Sequence, residues 1–380
     1  MRLASIDIGN DALKGYFGSL EKQLYIPNII AQAEDRSIID MEKTPLDALH
    51  VEVNSSILKE NNRKIVVGKL ATKYPNNDEL KPNQDKSESD QPILLLLTAL
   101  AYDAVQNVQE DEDNVIQATY YLSTGLPLDE TKRGKNKEFR KKLKSGQHQV
   151  KFLKTPEFEG KTVRIQFEQV IVNTEGFAAY MDLTTDHDGS VKNQDLLGKT
   201  ILINDIGGLS TDSAIITKDT QVDNINSDGI KKGVSTYLDS IIRKVRSEHQ
   251  YTIKTRRDLV EIITNEDPEE QNCIWKYGNR ISIKNIVDDE LSALAKEEYK
   301  LLQDLWISVP DIRLAYQIGG GAVVLRPYLQ EINEAGQQFP LRFVKPDDSV
   351  WMIARAYFKI LIMYCQSKKI NVKEAIAAKL

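Results

Sequence analysis

Two segments of this chain, half its length apart, repeat one design. Near the start, Ala4-Ser5-Ile6-Asp7-Ile8-Gly9-Asn10-Asp11 leads into Lys14-Gly15. In the middle, Ile201-Leu202-Ile203-Asn204-Asp205-Ile206-Gly207-Gly208 leads into Leu209-Ser210-Thr211-Asp212. Each is an apolar run, then Asp-Ile-Gly, then small polar residues. The apolar run reads as a buried strand. A carboxylate at its end, followed by glycine, reads as a turn whose backbone can approach a ligand closely. Two such turns facing each other would grip a polyphosphate. Backbone N–H groups would hold the oxygens and the two aspartates a magnesium ion. A third glycine turn, Ile318-Gly319-Gly320-Gly321-Ala322, would cover the base or sugar. The pattern predicts a nucleotide held between two halves of a duplicated fold.

Length and composition agree. At 380 residues the chain exceeds one typical core, so two domains are expected. A hydrophobic share of 41% with 28% charged residues fits a globular protein. The formal charge of -6 argues against a nucleic-acid binder as a whole. Cys273 and Cys365 are far apart in sequence, which suggests neither a zinc site nor a disulfide framework and points to a reducing, cytoplasmic setting. No signal-peptide or lipid-anchor pattern is expected, and the apolar run from Ile93 to Ala101 is too short to span a bilayer. It reads as a buried helix, with Pro92 in its first turn.

Strands are expected at Ser5–Ile8, Gly15–Phe17, Lys64–Gly68, Ala118–Ser123, Val163–Val172, Ser213–Thr217 and Leu314–Ile318. Helical spacing marks Phe177–Leu183, Gly233–Arg246, Asp258–Thr264, Ile286–Ile307 and Pro346–Cys365. The charged stretch 76–91 reads as a loop, and the rest of 31–90 as polar and irregular. Strands alternating with helices, with glycine turns at strand ends, give an α/β architecture.

Each constellation has a plainer alternative. Around Asp7, the amides of Gly9, Asn10 and Asp11 would meet phosphate and Lys14 would neutralise it; alone, the segment could be a polar hairpin. It is not a P-loop, because no Gly-Lys-Ser/Thr follows. The Asp205 segment is stronger, since a carboxylate at the end of an apolar strand is expensive to bury without a cation or hydrogen bonds. Glu175, opening a helix after Asn173-Thr174, could orient or deprotonate an attacking water; alone, it is an acid favoured by the helix dipole. The basic stretch Lys132–Lys144 lacks interleaved aromatics and reads as a solvated helix face. The four histidines show no metal-ligand spacing.

In order, the motifs resemble phosphate 1, connect 1, phosphate 2 and adenosine of the actin/Hsp70/sugar-kinase superfamily. Within it the chain is similar to the ParM/StbA and Alp group of bacterial plasmid-segregation actins. Asp7-Ile-Gly-Asn-Asp-Ala-Leu-Lys14, Pro27-Asn28, Thr124-Gly125-Leu126-Pro127, Asn173-Thr174-Glu175-Gly176-Phe177, Lys232-Gly233-Val234-Ser235, Ile318-Gly319-Gly320-Gly321-Ala322 and Ala354-Arg355-Ala356-Tyr357 carry the resemblance. Ala356 stands where that family often has glycine. The resemblance implies an actin-like, ribonuclease H-like duplicated fold with a nucleotide cleft between its domains. Domain I would be 1–174 plus a C-terminal helix 347–380, and domain II 175–346. It further implies ATP, or GTP, with Mg2+ on Asp7 and Asp205. The catalytic set would be Glu175, Asp205 and Asp212, with Glu175 positioning the hydrolytic water. Gly9, Asn10, Asp11, Lys14, Gly207, Gly208, Ser210, Thr211, Gly233, Gly319, Gly320 and Gly321 would bind the cofactor. The implied partners are the chain itself, in a filament, and a ParR-like DNA-bound adaptor, with DNA reached only indirectly and no membrane.

The implied activity is nucleotide hydrolysis coupled to polymerisation. A small-molecule, sugar-type kinase on the same fold is the alternative, and would need a catalytic aspartate in a substrate cleft. An Hsp70-like chaperone would need a further substrate-binding domain.

Overall fold

A computed structural model describes residues 1–35, 44–79 and 84–372. The expected loop 76–91 and C-terminal helix 347–380 therefore run partly outside the described residues. The chain divides into two compact units: 1–194 together with the chain from 351 onward, and 195–350. The helix beginning at Glu175, expected at the start of the second domain, lies in the first unit.

In the first unit, β1 (Arg2–Ile8), β2 (Ala12–Phe17) and β3 (Ser19–Pro27) form an antiparallel meander. There follow β4 (Ile29–Gln32), β5 (His50–Ser55), β6 (Arg63–Val67), β7 (Asn77–Glu79) and helix α1 (Asp90–Asn107). Then come β8 (Val115–Leu126), α2 (Leu128–Lys132), α3 (Lys135–Ser145), β9 (His148–Phe152), β10 (Thr162–Thr174) and α4 (Glu175–Thr184). Among the described residues the sheet order is β3-β2-β1-β8-β10-β9-β5-β6-β4-β7. Helix α1 is apolar on every side, so it must be covered on every side; Ile93 to Leu97 are fully buried. No described helix is long and apolar enough to cross a membrane. The basic α3 anchors itself by Phe139 and Leu143 and leaves most of its lysines in water.

The second unit contains β11 (Thr200–Ile206), β12 (Thr211–Ile216), β13 (Asp228–Ile230), α5 (Val234–His249) and α6 (Arg256–Ile263). A hairpin of β14 (Cys273–Lys276) and β15 (Asn279–Ser282) follows, then α7 (Lys284–Ser308), β16 (Ile312–Ile318), α8 (Gly319–Ala335) and β17 (Leu341–Phe343). The last helix, α9 (Pro346–Ser367), begins here and passes into the first unit at Trp351. The sheet order is β13-β12-β11-β16-β17.

The two sheets share a core plan. β3-β2-β1-β8-β10 and β13-β12-β11-β16-β17 each place two antiparallel neighbours on one side of the motif strand and two parallel strands on the other. The duplication expected from the two Asp-Ile-Gly segments is thus a duplication of topology.

Within the first unit α9 fixes α4. Arg355 holds Asp182 bidentately, with Nε 3.0 Å from Oδ1 and Nη2 2.7 Å from Oδ2. Lys359 Nζ lies 2.7 Å from Asp182 Oδ1 and donates to the Thr185 carbonyl at 2.7 Å. Burial pushes the Asp182 carboxyl up, but Arg355 and Lys359 overcome it and hold it below the usual range. This ion cluster locks the helix whose first residue is Glu175.

Candidate functional site

In the first unit β1 returns as β2 through Gly9, Asn10 and Asp11. The Gly9 N–H donates to the Ala12 carbonyl at 3.0 Å, and a Cβ at Gly9 would stand 2.9 Å from that oxygen. Asn28 braces the turn from behind. Its backbone N–H donates to the Asp11 carbonyl at 2.9 Å, and its Nδ2 to the Gly9 carbonyl at 2.8 Å. Gln91, in the first turn of α1, donates in turn to Asn28 Oδ1 at 2.9 Å. The two turn carbonyls are therefore committed to the interior. Across the strand pair Asp7 faces Lys14, whose Nζ lies 3.6 Å from Asp7 Oδ2. Asp7 is buried, Asn10 half-buried and Asp11 exposed.

The second unit repeats this turn. The Gly207 N–H donates to the Ser210 carbonyl at 2.9 Å, and a Cβ at Gly207 would again stand 2.9 Å from the acceptor. Here a helix end does the bracing. Val234 N–H donates to the Gly207 carbonyl at 3.0 Å, and Ser235 N–H to the Gly208 carbonyl at 2.9 Å. A Cβ on Gly233 would collide with both of those carbonyls. The glycine turn after β16 packs onto the same hairpin. Gly319, at φ +83°, lies against the Asp205 carboxylate, and a Cβ on Gly321 would meet Ile206. The Gly319 N–H donates to Ser349 Oγ at 2.9 Å. Gly320 has open space around its Cα. Asp205, Gly207, Gly208, Ser210, Gly233, Gly319 and Gly321 thus form one cluster, and Asp212 stands directly opposite Asp205 in the strand register.

Thr211 points its hydroxyl inward, donating to Glu298 Oε1 at 2.6 Å. Glu298, on α7, is fully buried, and burial pushes its carboxyl up to about 7 against the pull of Thr211 and Asn204. Asn204 Nδ2 donates to Gln317 Oε1 at 2.8 Å, and Ser213 Oγ to Asn204 Oδ1 at 2.5 Å. Beneath the second loop lies a buried polar network in which Glu298 Oε2 and Gln317 Nε2 have no partner among the described residues.

Glu175 opens α4 in the first unit. Lys86 Nζ lies 2.9 Å from its Oε1, and both side chains are nearly buried. Burial pushes the Glu175 carboxyl up, Lys86 pulls it down, and the charge of Asp7 pushes it up again. Lys86 sits on the short turn Lys86–Glu88, where Glu130 of α2 accepts the N–H groups of Lys86 and Ser87 at 2.9 and 3.0 Å. Asp7, Lys14, Lys86, Glu130 and Glu175 form a single ionic cluster. The sequence reading identified Asp7, Lys14 and Glu175 but neither Lys86 nor Glu298.

Among the described residues no three His, Cys, Asp or Glu side chains gather as a metal cage.

Models of known families match both halves of the chain. The N-terminal domain of actin-like proteins matches residues 5–177, and the Alp7A C-terminal domain matches 200–339. The chain belongs to the actin-like proteins. This membership decides against a sugar kinase. Solved structures agree on the fold. The actin-like protein Alp7A is 18% identical, with a TM-score of 0.79 over 98% of this chain and 99% of its own. Bacillus thuringiensis ParM with ATP is 22% identical, with a TM-score of 0.73 over 96% of this chain and 99% of its own. A subunit of a 15-stranded ParM filament from Clostridium botulinum is 19% identical, with a TM-score of 0.68 over 95% and 99%. No curated protein matches the sequence.

Proposed function

We propose that this actin-like protein binds a purine nucleoside triphosphate with Mg2+, polymerises in that state, and hydrolyses the nucleotide as a clock on filament lifetime. In this reading the filament moves plasmid DNA in the cytoplasm through a DNA-bound adaptor of the ParR kind. The observation that carries it is the repeated hairpin: two Asp-Ile-Gly turns, each closed by a glycine N–H on the carbonyl three residues on. Relatives of the same fold support it, one solved with ATP and one as a filament.

We assign each residue a role in keeping with its surroundings. Lys14 supplies positive charge beside the first turn, and the amides of Gly9, Asn10 and Asp11 offer donors to phosphate. Gly207, Gly208 and Ser210 form the second phosphate loop, Gly233 keeps that loop seated on α5, and Thr211, expected to bind phosphate, instead anchors the loop from beneath through Glu298. Gly319, Gly320 and Gly321 lie next to it as the nucleoside turn. Asp7 and Asp205 hold the magnesium, whose charge neutralises the phosphates. Glu175 orients the attacking water, and Asp212 supplies a second polar group to it. Chemistry of this kind is mainly positioning and charge stabilisation.

Sedimentation with ATP or GTP and Mg2+ tests the reading. Nucleotide-dependent pelleting with phosphate release, and no added acceptor, is expected. Persistent monomers would overturn it. Glu175→Ala is expected to polymerise normally and to give longer-lived polymer; disassembly at the wild-type rate would remove Glu175 from the clock.

A further inference from the structure

Glu175 cannot orient a water while its own carboxylate is free to rotate or to take up a proton. Burial and neighbouring acids favour the proton. It is nearly buried, it faces the negative charge of Asp7, and Glu130 adds to that field. Two features oppose this. One is its place at the N-terminus of α4, where the helix dipole favours a negative charge. The other is Lys86, 2.9 Å from Oε1.

Lys86 is itself held. Glu130 receives the backbone N–H groups of Lys86 and Ser87, so the turn that carries the ammonium is tied to α2. At the other end of the pair, α4 is tied to α9 through Asp182. Both partners thus come from braced backbone. The ion pair fixes Oε1 and leaves Oε2 without a hydrogen-bond partner among the described residues.

We propose that Lys86 is the positioning residue for Glu175: it holds Oε1, so that Oε2 is presented to the attacking water. The inference rests on the hydrolytic reading of Glu175. Lys86 acts through Glu175 and not on the nucleotide, which separates it from Lys14.

The test measures single-turnover ATP hydrolysis and ATP affinity in full-length wild type, Lys86→Met, Lys86→Arg, Glu175→Gln and the double variant Lys86→Met/Glu175→Gln, with sedimentation read in parallel. Lys86→Met is expected to slow hydrolysis of bound ATP about ten- to hundredfold, the scale of a misplaced catalytic group. Its ATP Kd should stay within about twofold, since no uniform binding is lost. Lys86→Arg should recover most of the rate, because the guanidinium also pairs with a carboxylate. The double variant should be no slower than Glu175→Gln alone, as expected of residues that act as a unit. Should Lys86→Met fail to fold, Lys86→Gln carries the same comparison.

If the two effects multiply in the double variant, or if Lys86→Met weakens ATP binding while bound ATP turns over normally, Lys86 contacts the nucleotide and the inference is overturned. A Glu175→Gln variant that hydrolyses ATP at the wild-type rate overturns the role of Glu175 and the inference with it. A slow Glu175→Gln with a multiplicative double variant overturns the inference alone.

Discussion

The two Asp-Ile-Gly hairpins share a backbone and differ in what stands across from and behind the carboxylate. In the first, the strand partner of Asp7 is Lys14; in the second, the strand partner of Asp205 is Asp212. The first turn is braced by the amides of Asn28 and Gln91. The second is braced by the N-terminus of α5 and underlain by Glu298. Like charges directly opposite on a strand pair repel, whereas Asp and Lys attract. Duplication has therefore kept the turn and changed what stands across from the carboxylate: a lysine in one loop, a second aspartate in the other.

That difference sets the order of expected effects. The largest falls on the second carboxylate. Asp205→Asn should slow hydrolysis about a thousandfold, at the upper end for removing one charge-stabilising contact. Asp7→Asn, with Lys14 still beside it, should lose less, about a hundredfold. Equal losses, measured as phosphate release at saturating ATP and Mg2+, would erase the asymmetry.

The next effect separates the two supports by pH. The Glu298 carboxyl keeps its proton in the folded chain up to about 7 but loses it near 4.5 when unfolded. Its contribution to stability is therefore full below the unfolded value and lost as pH rises through the folded one. The shift corresponds to about 3 kcal/mol. Glu298→Gln should remove this decline, so wild type should lose ground to the variant between pH 4.5 and 8 in urea midpoints. The amides behind the first turn do not titrate and should give no such term. Parallel curves for variant and wild type would contradict the placement of Glu298.

Smaller effects follow from the braces. Gly233→Ala forces a methyl against two backbone carbonyls and should destabilise the second unit by about 2–3 kcal/mol. Gly9→Ala meets one carbonyl at 2.9 Å and should cost about 1 kcal/mol. Equal losses for the two variants in urea denaturation would mean that the loops are braced alike. On the binding side, Lys14→Met should weaken triphosphate binding about tenfold, the loss of one charge-assisted contact. Calorimetric affinity unchanged in that variant would detach Lys14 from the phosphates.

Much of this plan was legible in the sequence, for physical reasons. The motif strands are continuous apolar runs ended by Asp-Ile-Gly, and α5, α7 and α9 show helical spacing, so burial and period announce them. β5 was missed although His50-Val51-Glu52-Val53-Asn54 alternates, because its surroundings are polar. The β14–β15 hairpin was also missed. Glu298 had a signal that went unread. It sits on the apolar stripe of α7 with Leu291, Leu294, Leu302 and Leu305, at spacings of three and four, where a carboxylate must be buried. Lys86 had none. It lies in a charged stretch that reads as loop, and its partner is 89 residues away in the chain.

Everything rests on both hairpins serving one metal–triphosphate. Titration calorimetry with ATP, in Mg2+ and then in EDTA, addresses that most directly. One nucleotide per chain is expected, bound at least about tenfold more tightly with Mg2+ than without. No uptake of ATP or GTP, two nucleotides per chain, or an affinity indifferent to Mg2+ would contradict it.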